Sequence, residues 1–214
     1  MGYCEITVLT AEPTTNYKTN YQYDPFGAEG GLGSGANSAY GANVFNATSD
    51  GTLKAISFYA LGAGTQYTAN VYVNPAANNP SSGSFSSTIS GAVPYAGYYT
   101  ERLNTTVPLT RGETFSVVIK FTTPDDDKPV PAQKKIRGYD DAAPTTPTGV
   151  SFFSQDETKW TDITTLGPSD AVCIHAFADG QMTPTPSPSP TVTPVPPPAP
   201  TALPPIALCL LERR

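Results

Sequence analysis

Residues 40–61, YGANVFNATSDGTLKAISFYAL, decide how the rest of the chain is read. Tyr40, Ala42 and Val44 alternate with smaller or polar residues, and Phe45 closes the run. A dense cluster of turn formers follows, Asn46-Ala47-Thr48-Ser49-Asp50-Gly51. Leu53, Ala55, Ile56, Phe58 and Leu61 then supply apolar mass, with Ser57 and Tyr59 interleaved. β-Branched and aromatic residues bounded by Asx and Gly turns predict two strands joined as a hairpin.

The segments outside it repeat this grammar. Residues 66–73 (QYTANVYV) alternate as a half-buried strand. Residues 85–89 predict a weak strand and residues 95–103 a stronger one. The turn at Thr110–Glu113 leads into residues 114–121, TFSVVIKF, the most continuous apolar strand and the expected centre of a sheet. Residues 124–131 read as a polar turn, and residues 132–137 as an exposed strand with Lys134 and Lys135 outward. Residues 150–154 and 159–163 form an expected hairpin that presents Trp160, and residues 171–178 close the domain. Residues 6–9 are a further short strand. About ten short strands at intervals of roughly 8–12 residues, with no helical periodicity, predict an all-β, two-sheet antiparallel sandwich of jelly-roll type.

Composition sets the boundaries. Eleven of the 23 prolines fall in residues 184–205. This run has no core-forming periodicity and few backbone donors, so it reads as a disordered, extended stalk rather than part of the fold. A Pro-rich ligand for an SH3-type domain is the competing reading. The expected organisation is a β-sandwich over residues 1–179, a Pro/Thr/Ser-rich linker over 180–205, and a short apolar-basic tail over 206–214. That tail is too short to cross a bilayer, which takes about 20 residues. The formal net charge of −6 argues against a nucleic-acid footprint and against docking on anionic lipid. Cys4, Cys173 and Cys209 are no disulfide framework. Cys4 and Cys173 would pair only if the first and last strands are neighbours. No basic segment followed by an apolar run opens the chain, so no secretory signal is visible.

Several motifs then resemble one family. Residues 10–17 and Tyr21-Gln22-Tyr23-Asp24-Pro25 do so, as do AYGANVF followed by LKAISFYAL. Tyr95-Ala96-Gly97-Tyr98, Phe115-Ser116-Val117-Val118, Trp160-Thr161-Asp162 and Val172-Cys173-Ile174 follow in the same order. Over residues 5–178 the chain resembles the lectin-like domain appended to prokaryotic papain-like (C1-family) cysteine peptidases. The resemblance implies a jelly-roll sandwich similar to carbohydrate-binding modules. It also implies an extracellular or cell-surface setting, and a partner that is either a surface glycan or the adjacent papain-like peptidase domain. A catalytic domain would then belong before Glu5, with Met1 the start of a fragment. Peptidase activity does not carry over, because the catalytic Cys, His and Asn of that domain have no counterparts here.

The candidate residues follow. A pyranose ring stacks on exposed aromatics, so Tyr98, Tyr99, Tyr21, Tyr23 and Trp160 are candidate ligand contacts, Trp160 doubling as a hairpin-packing residue. Four rings between Tyr17 and Phe26 are too many for a free loop. That loop is expected to brace a peptidase domain, leaving sugar contact to Tyr98 and Tyr99. Asp125, Asp126 and Asp127 offer hard oxygens to calcium. No cofactor is required, and the fold resemblance admits a structural calcium without placing its ligands. His175, the single histidine, shares a strand face with Cys173. With no orienting Asn or Asp in evidence, it reads as an exposed structural residue, not a catalytic one.

Overall fold

The computed structural model describes residues 13, 16–134 and 145–180. The expected strand at 6–9, Cys4, residues 135–137 and everything after 180 lie outside them. Thirteen strands follow in order: β1 (Thr19–Tyr21), β2 (Gly30–Leu32), β3 (Ser38–Asn46), β4 (Gly51–Ala60), β5 (Gln66–Val73), β6 (Ser84–Ala92), β7 (Gly97–Leu109), β8 (Thr114–Thr122), β9 (Val130–Gln133), β10 (Ser151–Ser154), β11 (Thr161–Asp162), β12 (Ala171–Val172) and β13 (Ile174–Gly180). A 3-10 turn, Ile163–Thr165, separates β11 from β12. The protein is all-β, as its sequence predicts.

Two large antiparallel sheets face each other, in the orders β11-β10-β3-β8-β5-β6 and β1-β13-β4-β7. Rings from both fill the space between them. Phe58 of β4 lies 4.7 Å from Tyr67 of β5 and 5.7 Å from Phe121 of β8. Tyr21 of β1 meets Phe115 of β8 edge-on at 5.2 Å. β8 is central, hydrogen-bonded on one side to β3 and on the other to β5.

The pivotal stretch is not a hairpin. β3 pairs with β8 and β4 pairs with β7, in different sheets. Residues 47–50 carry the chain over the edge of the sandwich instead. The turn at 110–113 makes the reverse crossing beside them, and the two arches are tied together. Ala47 N donates to Glu113 O at 2.9 Å, Gly112 N to Ala47 O at 2.8 Å, and Arg111 N to the Asp50 carboxylate at 2.8 Å. An arch and a hairpin share the same local signals. They differ only in which strands supply hydrogen bonds and which supply facing side chains.

The faces of β3 shift accordingly. Tyr40, Ala42 and Val44 do share a face, but it is the outer one, where they form a small cluster with Val118, Phe152, Tyr72 and Trp160. The main core receives Ala39 and Phe45. Asn43, also inward and fully buried, donates to Val172 O and Ile174 O at 2.9 Å each.

A third small sheet, β12-β9-β2, was not in the two-sheet expectation. β9 starts earlier than the predicted exposed strand, and every one of its residues is buried. Gly41 makes room for this layer: a Cβ there would come within 2.7 Å of Val130 and 2.8 Å of Val172. Lys134 does not point free into water, since its Nζ donates to Gly31 O at 2.9 Å. The strand expected at 95–103 is β7, which starts at Gly97 and runs on to Leu109, 13 residues in all.

Candidate functional site

The outer face of the four-stranded sheet carries a chain of hydrogen bonds that ends on an exposed tyrosine. Antiparallel register sets Ser57 of β4 opposite His175 of β13, and Tyr59 of β4 opposite Tyr98 of β7. The Ser57 hydroxyl contacts the Tyr98 hydroxyl, which lies 3.0 Å from His175 Nδ1. On the far side of the imidazole, Nε2 stands 2.9 Å from both oxygens of Asp24, a residue of the loop after β1. An ionised carboxylate only accepts, so Nε2–H donates to it. With a neutral imidazole, Nδ1 then accepts from the Tyr98 hydroxyl, and that oxygen accepts from Ser57.

Burial decides what this relay can do. Ser57 is fully buried, Asp24 is 2% exposed and His175 8%, whereas Tyr98 is 45% exposed. No substrate reaches Ser57, so the Ser–Tyr–His–Asp order is not a nucleophile with its base. The relay instead satisfies buried polar groups and clamps one outward ring in place. Tyr59 adds a wall, edge-on to Tyr98 at 4.9 Å. Burial, then the charges of Cys173, Asp24 and Tyr98, push its phenol up.

Sequence reasoning placed His175 on an exposed face with no acidic partner. The structure corrects both points. The partner is Asp24, 151 positions away in the chain, and nothing local to His175 signals it. Ser57, Tyr59 and Asp24 were likewise not singled out. The expected shared face of Cys173 and His175 does not make a thiolate–imidazolium pair. Cys173 is a free thiol with no exposed surface, and burial foremost, then the Asp24 charge, pushes its pKa well above the ordinary thiol value. Its proposed partner Cys4 lies outside the described residues. In the native protein Cys173 is expected to resist iodoacetamide at pH 8 and to react at once in denaturant, read by peptide mass spectrometry. The folded state holds a proton that the unfolded chain releases. The stability this contributes is therefore intact below about pH 8.5 and declines as pH rises above it. Rapid native alkylation of Cys173 would contradict its placement in the core.

The other candidates separate. Tyr99, adjacent to Tyr98, faces the opposite side of β7: it stacks over Phe58 at 6.3 Å and donates to Tyr95 O at 2.9 Å. The two cannot form one platform, because neighbours on a strand point to opposite faces. Tyr21 is 7% exposed and lies in the core. Tyr23 stacks on Phe45 at 5.1 Å and donates to Val44 O at 2.7 Å, and burial pushes its phenol up to about 12. Tyr17 stacks on Phe177 at 5.1 Å. The aromatic loop is thus packed onto its own sandwich, and within it Phe26, 50% exposed, keeps an outward ring. Trp160 packs with the outer cluster of the six-stranded sheet and donates to Ser81 Oγ at 3.3 Å.

Asp125, Asp126 and Asp127 do not converge. Asp125 takes left-handed backbone at φ 58°, and the Asp126 carboxylate accepts from Lys128 N at 2.8 Å. Successive residues fan out around such a turn. Among the described residues no group of three or more His, Cys, Asp or Glu side chains is placed to hold a metal. Nor is any described helix long and apolar enough to cross a membrane.

Comparisons bear on this arrangement. The family profile described as Lectin like domain matches residues 20–178. No curated protein matches the chain. Among solved structures, the clostridial cysteine protease Cwp84 after propeptide cleavage superposes with a TM-score of 0.66 at 22% identity, over 80% of this chain and 42% of that one. The cysteine protease and lectin-like domains of Cwp84, a surface layer associated protein of Clostridium difficile, superpose with a TM-score of 0.61 at 24% identity, over 80% of this chain and 37% of that one. The chain spans less than half the length of either.

Proposed function

The chain belongs to the lectin-like domain family, and from that membership we propose that it is a non-catalytic accessory module of a secreted or cell-surface cysteine peptidase, holding the enzyme against surface polymers. The observation that carries this reading is the family match over nearly the whole sandwich. The likeness in fold to two structures described as cysteine proteases supports it. The buried serine and the buried thiol also argue for recognition rather than hydrolysis. Tyr98 is the contact the geometry favours, because its ring is held from behind by Ser57 and His175. A preorganised ring loses little conformational freedom when a sugar stacks on it.

A second reading, bracing of a peptidase domain with no glycan ligand, is favoured by one observation. Gly27, next to the exposed Phe26, abuts Tyr59, so Phe26, Tyr59 and Tyr98 lie on one side of the sandwich. Such outward rings suit a protein interface as well as a sugar.

A glycan array probed with the full chain separates the two. If the module holds polymers, Tyr98→Ala should weaken the strongest signals about two- to tenfold, the usual worth of one aromatic contact, and Tyr98→Phe should keep most of the binding. An array with no signal would rule out the polymer-holding role and leave bracing.

A further inference from the structure

The outer face of the six-stranded sheet carries a feature the lectin-like reading does not use. Its cross-strand register builds ordered rows of side chains. One row runs Ser154, Tyr40, Lys120, Thr68, Ser90 across β10, β3, β8, β5 and β6; the next runs Ser38, Thr122, Gln66, Ala92. Between these rows lies a groove of about 490 Å³, lined chiefly by Gln66, Thr68, Ser90, Lys120 and Thr122. That volume falls within the roughly 300–1,000 Å³ of small-ligand sites.

The chemistry of the lining is specific. Lys120 Nζ sits 5.6 Å from the centre of the Tyr40 ring, a cation held over an aromatic face. Among the described residues it has no acidic partner. Gln66, Thr68 and Ser90 make no side-chain hydrogen bonds among them either, and Thr122 donates to Ser38 Oγ at 3.1 Å. The groove therefore offers an ammonium with no acidic partner among the described residues, an amide and hydroxyls, on a protein whose net charge is −6.

Resting on the lectin-like reading, we infer that this groove binds a carboxylated saccharide, a polymer containing uronic acid residues. Lys120 pairs with the sugar carboxylate, while Gln66, Thr68 and Ser90 exchange hydrogen bonds with ring hydroxyls. A nucleic acid is disfavoured, because phosphate backbones are held by several cations and the groove presents one. A neutral sugar would leave the ammonium unanswered. The single cation amid neutral donors and acceptors matches a ligand with one carboxylate per sugar unit and hydroxyls elsewhere.

The test is affinity electrophoresis of the full chain through gels containing polygalacturonate, alginate, fully methyl-esterified polygalacturonate or polyglutamate. Retention by at least one of the two uronate polymers is expected, with little by the ester, which has the same backbone without charge. Lys120→Gln should weaken retention about tenfold, the size of one charge-assisted hydrogen bond, and Lys120→Arg should restore part of it. Circular dichroism of each variant checks the fold. Retention by neither uronate polymer, equal retention by the ester, or an unaltered Lys120→Gln would overturn the inference. So would polyglutamate retained as strongly, which would make the ligand an acidic peptide. If these fail while neutral glycans still bind through Tyr98, the accessory-module reading stands without this groove. If no glycan binds at either face, the polymer-holding role falls as well.

Discussion

Asp24→Ala is expected to lower stability by about 3–5 kcal/mol, the usual result of removing one partner of a buried ionic hydrogen bond. For a domain of this size that corresponds to a fall of roughly 6–20 °C in Tm. The physical reason is what remains behind. Asp24 is 2% exposed and is the acceptor for His175 Nε2, itself in a residue 8% exposed. Without the carboxylate, that buried nitrogen loses its acceptor. The Asp24→Ala/His175→Ala double variant should be less destabilised than the sum of the singles, because it removes both halves of the pair. Thermal and denaturant unfolding of the four proteins read this directly. A loss below about 1 kcal/mol for Asp24→Ala, or strict additivity in the cycle, would show that the relay contributes nothing as a unit. The variant also carries a functional expectation. Tyr98 is positioned through His175, so glycan signals that depend on Tyr98 should weaken although Asp24 touches no ligand.

Tyr21→Ala should be about as damaging, at roughly 3–5 kcal/mol, the range for emptying a large aromatic site in a core. The ring is 7% exposed, 5.2 Å from Phe115 and 5.8 Å from Phe45, and its hydroxyl accepts from Thr48 N at 3.3 Å. It closes the end of the sandwich under the two crossing arches. Tyr21→Phe loses only that hydrogen bond and should cost about 1 kcal/mol. These outcomes reverse what a ligand-binding loop would give. For a glycan platform, Tyr21→Ala would abolish binding and leave the melting curve in place. That pattern would put the ring on the surface, against the structure.

The corrections share one origin. Local signals specified which residues lie in strands, and β5, β8 and the β10–β11 hairpin fall close to where alternation put them. Partner choice was not local. Residues 40–61 look the same whether they fold back as a hairpin or cross between sheets. What settles it is pairing with β7 and β8, 37 to 84 residues on. The third sheet escaped notice for a similar reason. Its strand VPAQ contains a proline and a glutamine, and its burial depends on a gap left by Gly41 on another sheet. Likewise, four aromatics between Tyr17 and Phe26 signalled that the loop packs on something. Only the fold showed that the surface is the domain's own.

The sequence by itself determined an all-β chain, a central TFSVVIKF strand, an acidic surface and a likeness to lectin-like domains, because alternation, turn chemistry and motif order are written residue by residue. Tertiary structure decided the site. Asp24, Ser57, Tyr98 and His175 lie far apart in the chain and become neighbours only when β13 pairs with β4 and β4 with β7. A hydrogen-bonded relay is a property of distance and burial, and neither exists before the sheets close.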